Sequence, residues 1–359
     1  MAAVITRRPP LQRPHVWYDA APVPSPSRPL GTVDTAPFAR ALEGALRRRS
    51  SLIARPDVTA WRVLDGRGDG VPGLSIDRYG PAAVMNVYDD AGLPDEAVTA
   101  VAGVALEQLA PLGVESVYVK PFVRDRSRLG GALGDESTSP TPRAGTPQPE
   151  TLVVEEYGTR YEVRPWDGLS TGLFLDHREH RRALAERRPG RVLNLFAYTC
   201  AFAMPLARAG AHVTNVDVSG RYLDWGRRNL ALNAIDGSTV RFLRRDAMDY
   251  LAQAARRDEE RFDLVILDPP TFAAANKRRG VTAWRAVDDY PALISAAVRV
   301  LAPGGVVFAA SNTRELAKAG ALADLVDASS PRPPRWLELP PWPVDVRERH
   351  RVAAVLFAP

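Results

Sequence analysis

"RVLNLFAYTCAFAMPLARAGAHVTNVD", residues 191–217, is the stretch that decides the fold. An apolar run at 191–196 fits a buried strand, small and aromatic residues then turn the chain, and a helical pattern follows near 201–209. A second strand at 212–217 ends on Asp217. Strand, helix and strand in such quick succession predict parallel neighbours joined by a crossover. The pattern continues with a helix at 219–232, a strand at 240–244, a helix at 246–255 and a strand at 262–267. A helix near 287–300, the strand "GGVVFAAS" (304–311), a helix near 313–326 and the strand "RVAAVLFA" (351–358) complete it. This alternation predicts a doubly wound, mostly parallel, seven-stranded α/β sheet in a domain spanning 151–359.

Toward the N-terminus the chain changes character twice. Residues 130–150 are rich in Gly, Pro, Ser and Thr without apolar periodicity, and read as a flexible linker. Residues 36–129 read as a small α/β unit. In it "AWRVLDGRGDGVPGLSIDRYG" (60–80) is strand, Asp-Gly turns and strand, and "AAVMNVY" (82–88) extends the sheet. An amphipathic helix at 95–113 and a strand at 114–123 follow. Residues 1–35 are proline-rich and read as a disordered extension.

The totals exclude several classes. Cys200 is the only cysteine in 359 residues, so disulfides and cysteine-based metal centres are out. His177 and His180 stand without further ligands, so no metal site is expected. No apolar stretch is long enough to span a bilayer, and the start lacks a signal-peptide core. A reducing, cytoplasmic setting fits. The net charge of +5 comes almost wholly from arginine, since only Lys120, Lys277 and Lys318 are lysines. That charge is weak evidence for nucleic acid on its own.

In an open parallel sheet, ligands bind at the carboxyl ends of the strands around the point where strand order reverses. Asp217 ends the second strand about twenty residues after the first loop, where a carboxylate accepts both hydroxyls of a ribose. Asp246 follows the third strand, placed to receive an adenine amino group, and Asp268 ends the fourth. Helix capping is the competing explanation for Asp217, beside Ser219, and for Asp246. The first loop has no GxGxxG and no P-loop lysine, which argues against NAD and ATP. S-adenosylmethionine fits, having a ribose and an adenine but no phosphates.

"LDPPTF" (267–272) resembles the fourth motif of class I methyltransferases that act on base nitrogens. Pro269 and Pro270 stiffen the turn. They aim a carbonyl toward the transferred methyl and leave Phe272 to stack on a base, against the alternative of a core aromatic under the loop.

Several motifs together resemble one family, the bacterial 23S ribosomal RNA methyltransferases of the RlmI/RlmK-like kind, over roughly residues 55–358. They are the 60–80 element, "TGLFLDHREHRR" (171–182), "VLNLFAYTCAFA" (192–203), "VDVSGRYLDWGRRNLALN" and "DPPTFAAANKRR". The last two look most like the RlmK type. The resemblance implies a Rossmann-like class I methyltransferase domain preceded by a small RNA-associated domain. It implies that Asp176 and Arg178 border the cofactor, and that Asn194, Phe196, Tyr198 and Thr199 line it with Asp217, Ser219, Asp246 and Asp268. It also implies ribosomal RNA as partner. No counterpart of the PUA RNA-binding module of RlmI-type proteins is expected, because only about fifty residues precede the stretch that resembles the family.

Two residues bear on the chemistry. Enzymes methylating cytosine C5 first add a cysteine thiolate to C6. In RlmI-type proteins that cysteine follows the fifth strand, where this chain reads "AASNTREL" (309–316) with Asn312 in its place. An asparagine orients a base edge but does not attack, so a guanine nitrogen, most plausibly N7, is the expected acceptor. Cys200 replaces a glycine of the family's first loop and reads as a small loop residue. The basic run "NKRRG" (276–280), with Lys277, Arg278 and Arg279, is either a solvated loop or a grip on RNA phosphates. A small-molecule methyltransferase, a cytosine-C5 enzyme and an assembly factor with little turnover remain the competing readings.

Overall fold

The computed structural model describes residues 33–122, 135–256, 261–275, 283–348 and 352–359. The proline-rich extension up to residue 32 and the basic run with Lys277, Arg278 and Arg279 lie outside the described residues. Residues Asp34–Pro359 form one compact body.

The described residues open with helices α1 (Ala36–Arg48) and α2 (Ser50–Ile53), then strands β1 (Ala60–Asp65), β2 (Leu74–Tyr79) and β3 (Ala82–Tyr88). Helix α3 (Asp95–Leu109) crosses to β4 (Ser116–Phe122), and β5 (Ala144–Gly145) follows. These strands make a five-stranded sheet in the order β1-β2-β3-β4-β5. Only the β3–β4 pair is parallel, as expected where a helix rather than a hairpin joins two strands. Strand alternation divides the side chains. Ile76, Met85 and Val119 share one face with the apolar sides of α1 and α3, including Leu42 and Val101. Tyr79, Val84 and Tyr118 point the other way, into a core shared with the next sheet.

The stretch expected as a linker needs correction. Residues 135–150 contain a 3₁₀ turn at Asp135–Thr138 and the edge strand β5, which pairs Gly145 with Ser116 and Ala144 with Val117. Gly145 lies at φ +88°, and a Cβ there would come 2.1 Å from the Glu115 carbonyl oxygen. The Gly content that looked like slack thus permits a close backbone approach.

A hairpin of β6 (Leu152–Glu156) and β7 (Thr159–Val163) and helix α4 (Arg178–Glu186) lead into the alternating region. It comprises β8 (Arg191–Leu195), α5 (Ala203–Arg208), β9 (His212–Asp217), α6 (Gly220–Leu232), β10 (Val240–Arg244), α7 (Ala247–Arg256) and β11 (Phe262–Leu267). A short ribbon of β12 (Phe272–Ala273) and β13 (Trp284–Arg285) precedes α8 (Ala286–Val298) and β14 (Leu301–Ser311). Helix α9 (Ala321–Ser329), β15 (Arg335–Leu337) and β16 (Ala353–Ala358) finish the chain. The seven strands run in the order β10-β9-β8-β11-β14-β16-β15, parallel from β10 to β14, with β16 antiparallel to both neighbours. The expected doubly wound sheet is present. The last helix begins later than the expected 313, because Gly320 at φ +81° interrupts helical geometry just before Ala321.

Apolar side chains fill both faces. Val192, Ile266 and Phe308 pack on one side with Leu206 and Leu223, and Leu193, Val265 and Val307 on the other with Leu251 and Leu293. Strands buried on both faces read as continuous apolar runs, which is why periodicity located them well. Strand order reverses between β8 and β11, so a crevice opens at their carboxyl ends.

Asp345, in the segment before β16, ties the two sheets together. One oxygen, Oδ2, accepts from the Arg62 backbone N–H of β1 at 2.8 Å. Both oxygens pair with the buried Arg178 guanidinium of α4, at 2.5 and 3.1 Å. Its backbone oxygen accepts from the buried Arg49, which also pairs with Asp69. Removing one partner of a buried ion pair leaves an uncompensated charge. Asp345→Ala is therefore expected to cost about 3–5 kcal/mol of folding free energy, read as a lowered urea midpoint. An unchanged midpoint would contradict this account.

Candidate functional site

The crevice is built by the loop after β8. Phe196, Tyr198 and Cys200 take φ of +55°, +50° and +60°, an alternating left-handed path made without glycine. Such residues are uncommon and cost on the order of 1–3 kcal/mol each, so the surroundings must hold them. Asp217, at the end of β9, does so: Oδ2 accepts from Tyr198 N–H at 2.9 Å and Oδ1 from Ser219 N–H at 2.8 Å. Thr199 donates its hydroxyl to the Gly172 carbonyl at 2.6 Å, and Asn229 Nδ2 donates to the Thr199 carbonyl at 3.0 Å.

Cys200 is fully buried in this turn. A Cβ on Gly226 of α6 would lie 2.6 Å from its Sγ, so the glycine makes room for the thiol. Burial, with the nearby Asp217 charge, pushes the thiol well above its ordinary value. It is a protonated packing group. The left-handed φ explains why glycine suits this position.

Other expected residues divide into those that face the crevice and those that do not. Asp217 faces it at the end of β9, and burial raises its carboxyl against the two N–H groups it accepts. Ser219 caps α6, accepting from Tyr222 N–H at 3.4 Å. Asp246 caps α7 through Oδ1, which accepts from Met248 and Asp249 N–H, so Oδ2 is the oxygen left for a ligand. Tyr198 packs between Phe174 and Tyr222, with ring centroids 5.3 and 4.4 Å away.

Two expectations need correction. Arg178 does not border the crevice: its guanidinium is fully buried against Asp345, the charge that justifies its burial. Asn194 points its amide along the sheet, donating to Asn215 Oδ1 at 2.8 Å.

The end of β11 carries the strongest electrostatic signal. Asp268 lies in the crevice with about a third of its side chain exposed (32%). Burial pushes its carboxyl up to about 7, the Asp176 charge adds to the rise and Arg181 opposes it. Asp176 has one oxygen, Oδ1, buried without a partner, and burial raises that carboxyl too. Two poorly neutralised carboxylates at the point where strand order reverses suit a cationic ligand. S-adenosylmethionine, with its sulfonium and ammonium groups, meets that description. His177 Nε2 stands 4.0 Å from Asp268 Oδ2, while its Nδ1 shares a hydrogen bond with His180 Nδ1 at 3.0 Å. Burial lowers both imidazoles to about 3, so both are neutral. Among the described residues no group of three or more side chains forms a metal site.

The turn after Asp268 is anchored at several points. Trp284 Nε1 donates to the Pro270 carbonyl at 2.8 Å, and Ala286 N–H donates to the Thr271 carbonyl at 3.1 Å. The Trp284 ring packs on Phe196 at 5.3 Å, linking the two loops. Pro269 is buried and Pro270 exposed. Phe272 is 63% exposed, which removes the core-aromatic alternative. Asn312 follows β14, and its Oδ1 accepts from the Thr271 hydroxyl at 2.9 Å. Sequence reasoning passed over Thr271, Trp284, the half-exposed Phe174 and the contact of His177 with Asp268. Phe174, Thr271, His177 and Asp268 lie inside quoted motifs, whereas Trp284 carried no such signal.

The raised Asp268 value has a measurable sign. The folded protein holds this proton more tightly than the unfolded chain, whose ordinary value is 3.8. The group's contribution is full below about pH 4 and is lost as pH rises through about 7. Below about pH 6.5 the two lowered imidazoles pull the other way, so the contribution is read as a difference: the urea midpoint of the wild type relative to Asp268→Asn should fall between pH 5 and pH 8. An identical slope in the variant would contradict the assignment.

Comparison with known proteins adds to this geometry. The sequence pattern of the S-adenosylmethionine-dependent methyltransferase family matches residues 139–358. Ribosomal RNA large subunit methyltransferase K of Neisseria meningitidis is 32% identical over 326 residues, covering 83% of this chain and 86% of that protein. Ribosomal RNA large subunit methyltransferase I of Aeromonas salmonicida is 34% identical, covering 77% of this chain and 66% of that one. The K/L protein of Pseudoalteromonas translucida is 33% identical over 77% of this chain, which spans only 38% of that longer relative. Among solved structures, a chain described as a methyltransferase complexed with SAH superposes with a TM-score of 0.75 at 25% identity, covering 91% of this chain and 82% of that one.

Proposed function

The chain belongs to the S-adenosylmethionine-dependent methyltransferase family, and from that premise we propose that it methylates a guanine of large-subunit ribosomal RNA, at N7, without a covalent intermediate. The cofactor, S-adenosylmethionine, supplies an electrophilic methyl group on its sulfonium. Asp217 accepts the ribose hydroxyls, and Asp246 accepts the adenine amino group through Oδ2. Asp176 and Asp268 present negative charge to the cationic end. Phe272, held out from a rigid turn, stacks on the target base, and Asn312 orients the base edge.

The single observation that carries the choice of atom is Asn312, paired with Thr271 and exposed, where a C5-directed enzyme needs a thiolate. The only thiol, Cys200, is buried and protonated on the cofactor side. A guanine N7 carries a free lone pair, so the enzyme has only to hold it in line with the methyl; such positioning lowers barriers by up to about 7–11 kcal/mol in favourable cases. Asn312 and Phe272 suit that task. The large-subunit RNA substrate is supported by the names of the relatives at 32–34% identity.

Nucleoside mass spectrometry of unmodified large-subunit RNA, after incubation with the protein and S-adenosylmethionine, tests the reading. Methylated guanine is expected, with 7-methylguanosine the product. Appearance of 5-methylcytidine would overturn the chemistry, and transfer only to a metabolite extract would overturn the RNA substrate. Phe272→Ala should weaken RNA binding by about 1–3 kcal/mol, the usual worth of one base stack, with S-adenosylhomocysteine affinity unchanged.

A further inference from the structure

The side chain of Thr271 sits between the two elements expected to meet the base. Its backbone is fixed, because Ala286 N–H holds its carbonyl at 3.1 Å and Trp284 Nε1 holds the preceding carbonyl at 2.8 Å. Its hydroxyl then reaches across from β11 to β14 and meets Asn312 Oδ1 at 2.9 Å. A carboxamide has one acceptor end and one donor end. The hydroxyl donates, so the carbonyl end of Asn312 is occupied, and Nδ2 is the end turned away from Thr271. Among the described residues Nδ2 meets no protein partner, and Asn312 is exposed at the ligand edge of the sheet.

We propose that Thr271 is a positioning residue that holds the carboxamide of Asn312 by one end, so that its other end is presented to the base. The inference rests on the proposed role of Asn312 at the base and adds what holds that side chain in place. Without the hydroxyl, the amide is free to rotate about its side-chain bonds, and its alignment with the base is lost. A group held in place before the substrate arrives loses less freedom on binding.

A double-mutant cycle tests this on the full chain, reading single-turnover methyl transfer to unmodified large-subunit RNA. Thr271→Val removes the hydroxyl and keeps the shape; it should slow transfer about tenfold, the scale of one lost hydrogen bond. Thr271→Ser should restore most of the rate. In an Asn312→Ala background Thr271→Val should cost no more than about twofold, because the two residues act as one unit. S-adenosylhomocysteine affinity and melting temperature should stay near wild type in all variants. A Thr271→Val rate equal to wild type, or the same tenfold loss in the Asn312→Ala background, would overturn the proposal. The cycle reads total methyl transfer and so decides Thr271 whichever base is modified, whereas the identity of the wild-type product separately decides the guanine reading.

Discussion

Asp217 is the constraint on which the cofactor crevice depends. Its two oxygens hold the N–H groups of Tyr198 and Ser219, one in the loop after β8 and one at the start of α6. That clamp helps keep three non-glycine residues in left-handed conformations, and it fixes the carboxylate at the carboxyl end of β9. The same side chain therefore shapes the loop and faces the crevice. Strain of this kind persists only where the surroundings over-determine it. Thr199, locked to Gly172 from outside and held by Asn229 from α6, supplies the remaining restraint.

The side of the crevice that carries Phe272 is built on a different plan. Phe272 has no core packing to hold it, yet the turn beneath it is pinned through Pro270, Thr271 and the β12–β13 ribbon. An exposed aromatic on a rigid base loses little entropy when it stacks on a partner. Trp284 joins the two halves, since its indole N–H holds the proline turn while its ring packs on Phe196 of the cofactor loop. Between them lies Asp268, whose carboxyl is raised by burial and by the Asp176 charge. Neutral His177 lies nearby and adds no positive charge.

The two sheets are joined by buried charge as well as by apolar packing. Tyr79, Val84 and Tyr118 extend the core of the second sheet into the first. Asp345 adds directional bonds to Arg62 and Arg178, from a segment far along the chain. Apolar contact tolerates sliding, whereas a bidentate carboxylate–guanidinium pair fixes one orientation. That orientation separates two neighbouring side chains: Asp176 keeps a buried oxygen without a protein partner, while Arg178 is paired into the frame.

Local pattern sufficed for much of this. The bounds of β9, β10 and β11 match those read from apolar runs. The acidic residues closing strands and the proline turn were legible because their chemistry is tied to position in the repeat. Polarity of composition misled over 135–150, where a glycine permits pairing rather than slack. Arg178 and Asn194 were placed at the cofactor because a motif gives position but not direction. The partner that turns Arg178 away, Asp345, is 167 residues distant. Sequence by itself determined the alternating sheet, the ligand edge and the residue types there, since periodicity and spacing are local. Tertiary structure alone decided which side chains face the crevice, why Cys200 is inert and how Thr271 meets Asn312. Burial and hydrogen-bond partners arise only when distant segments are packed together.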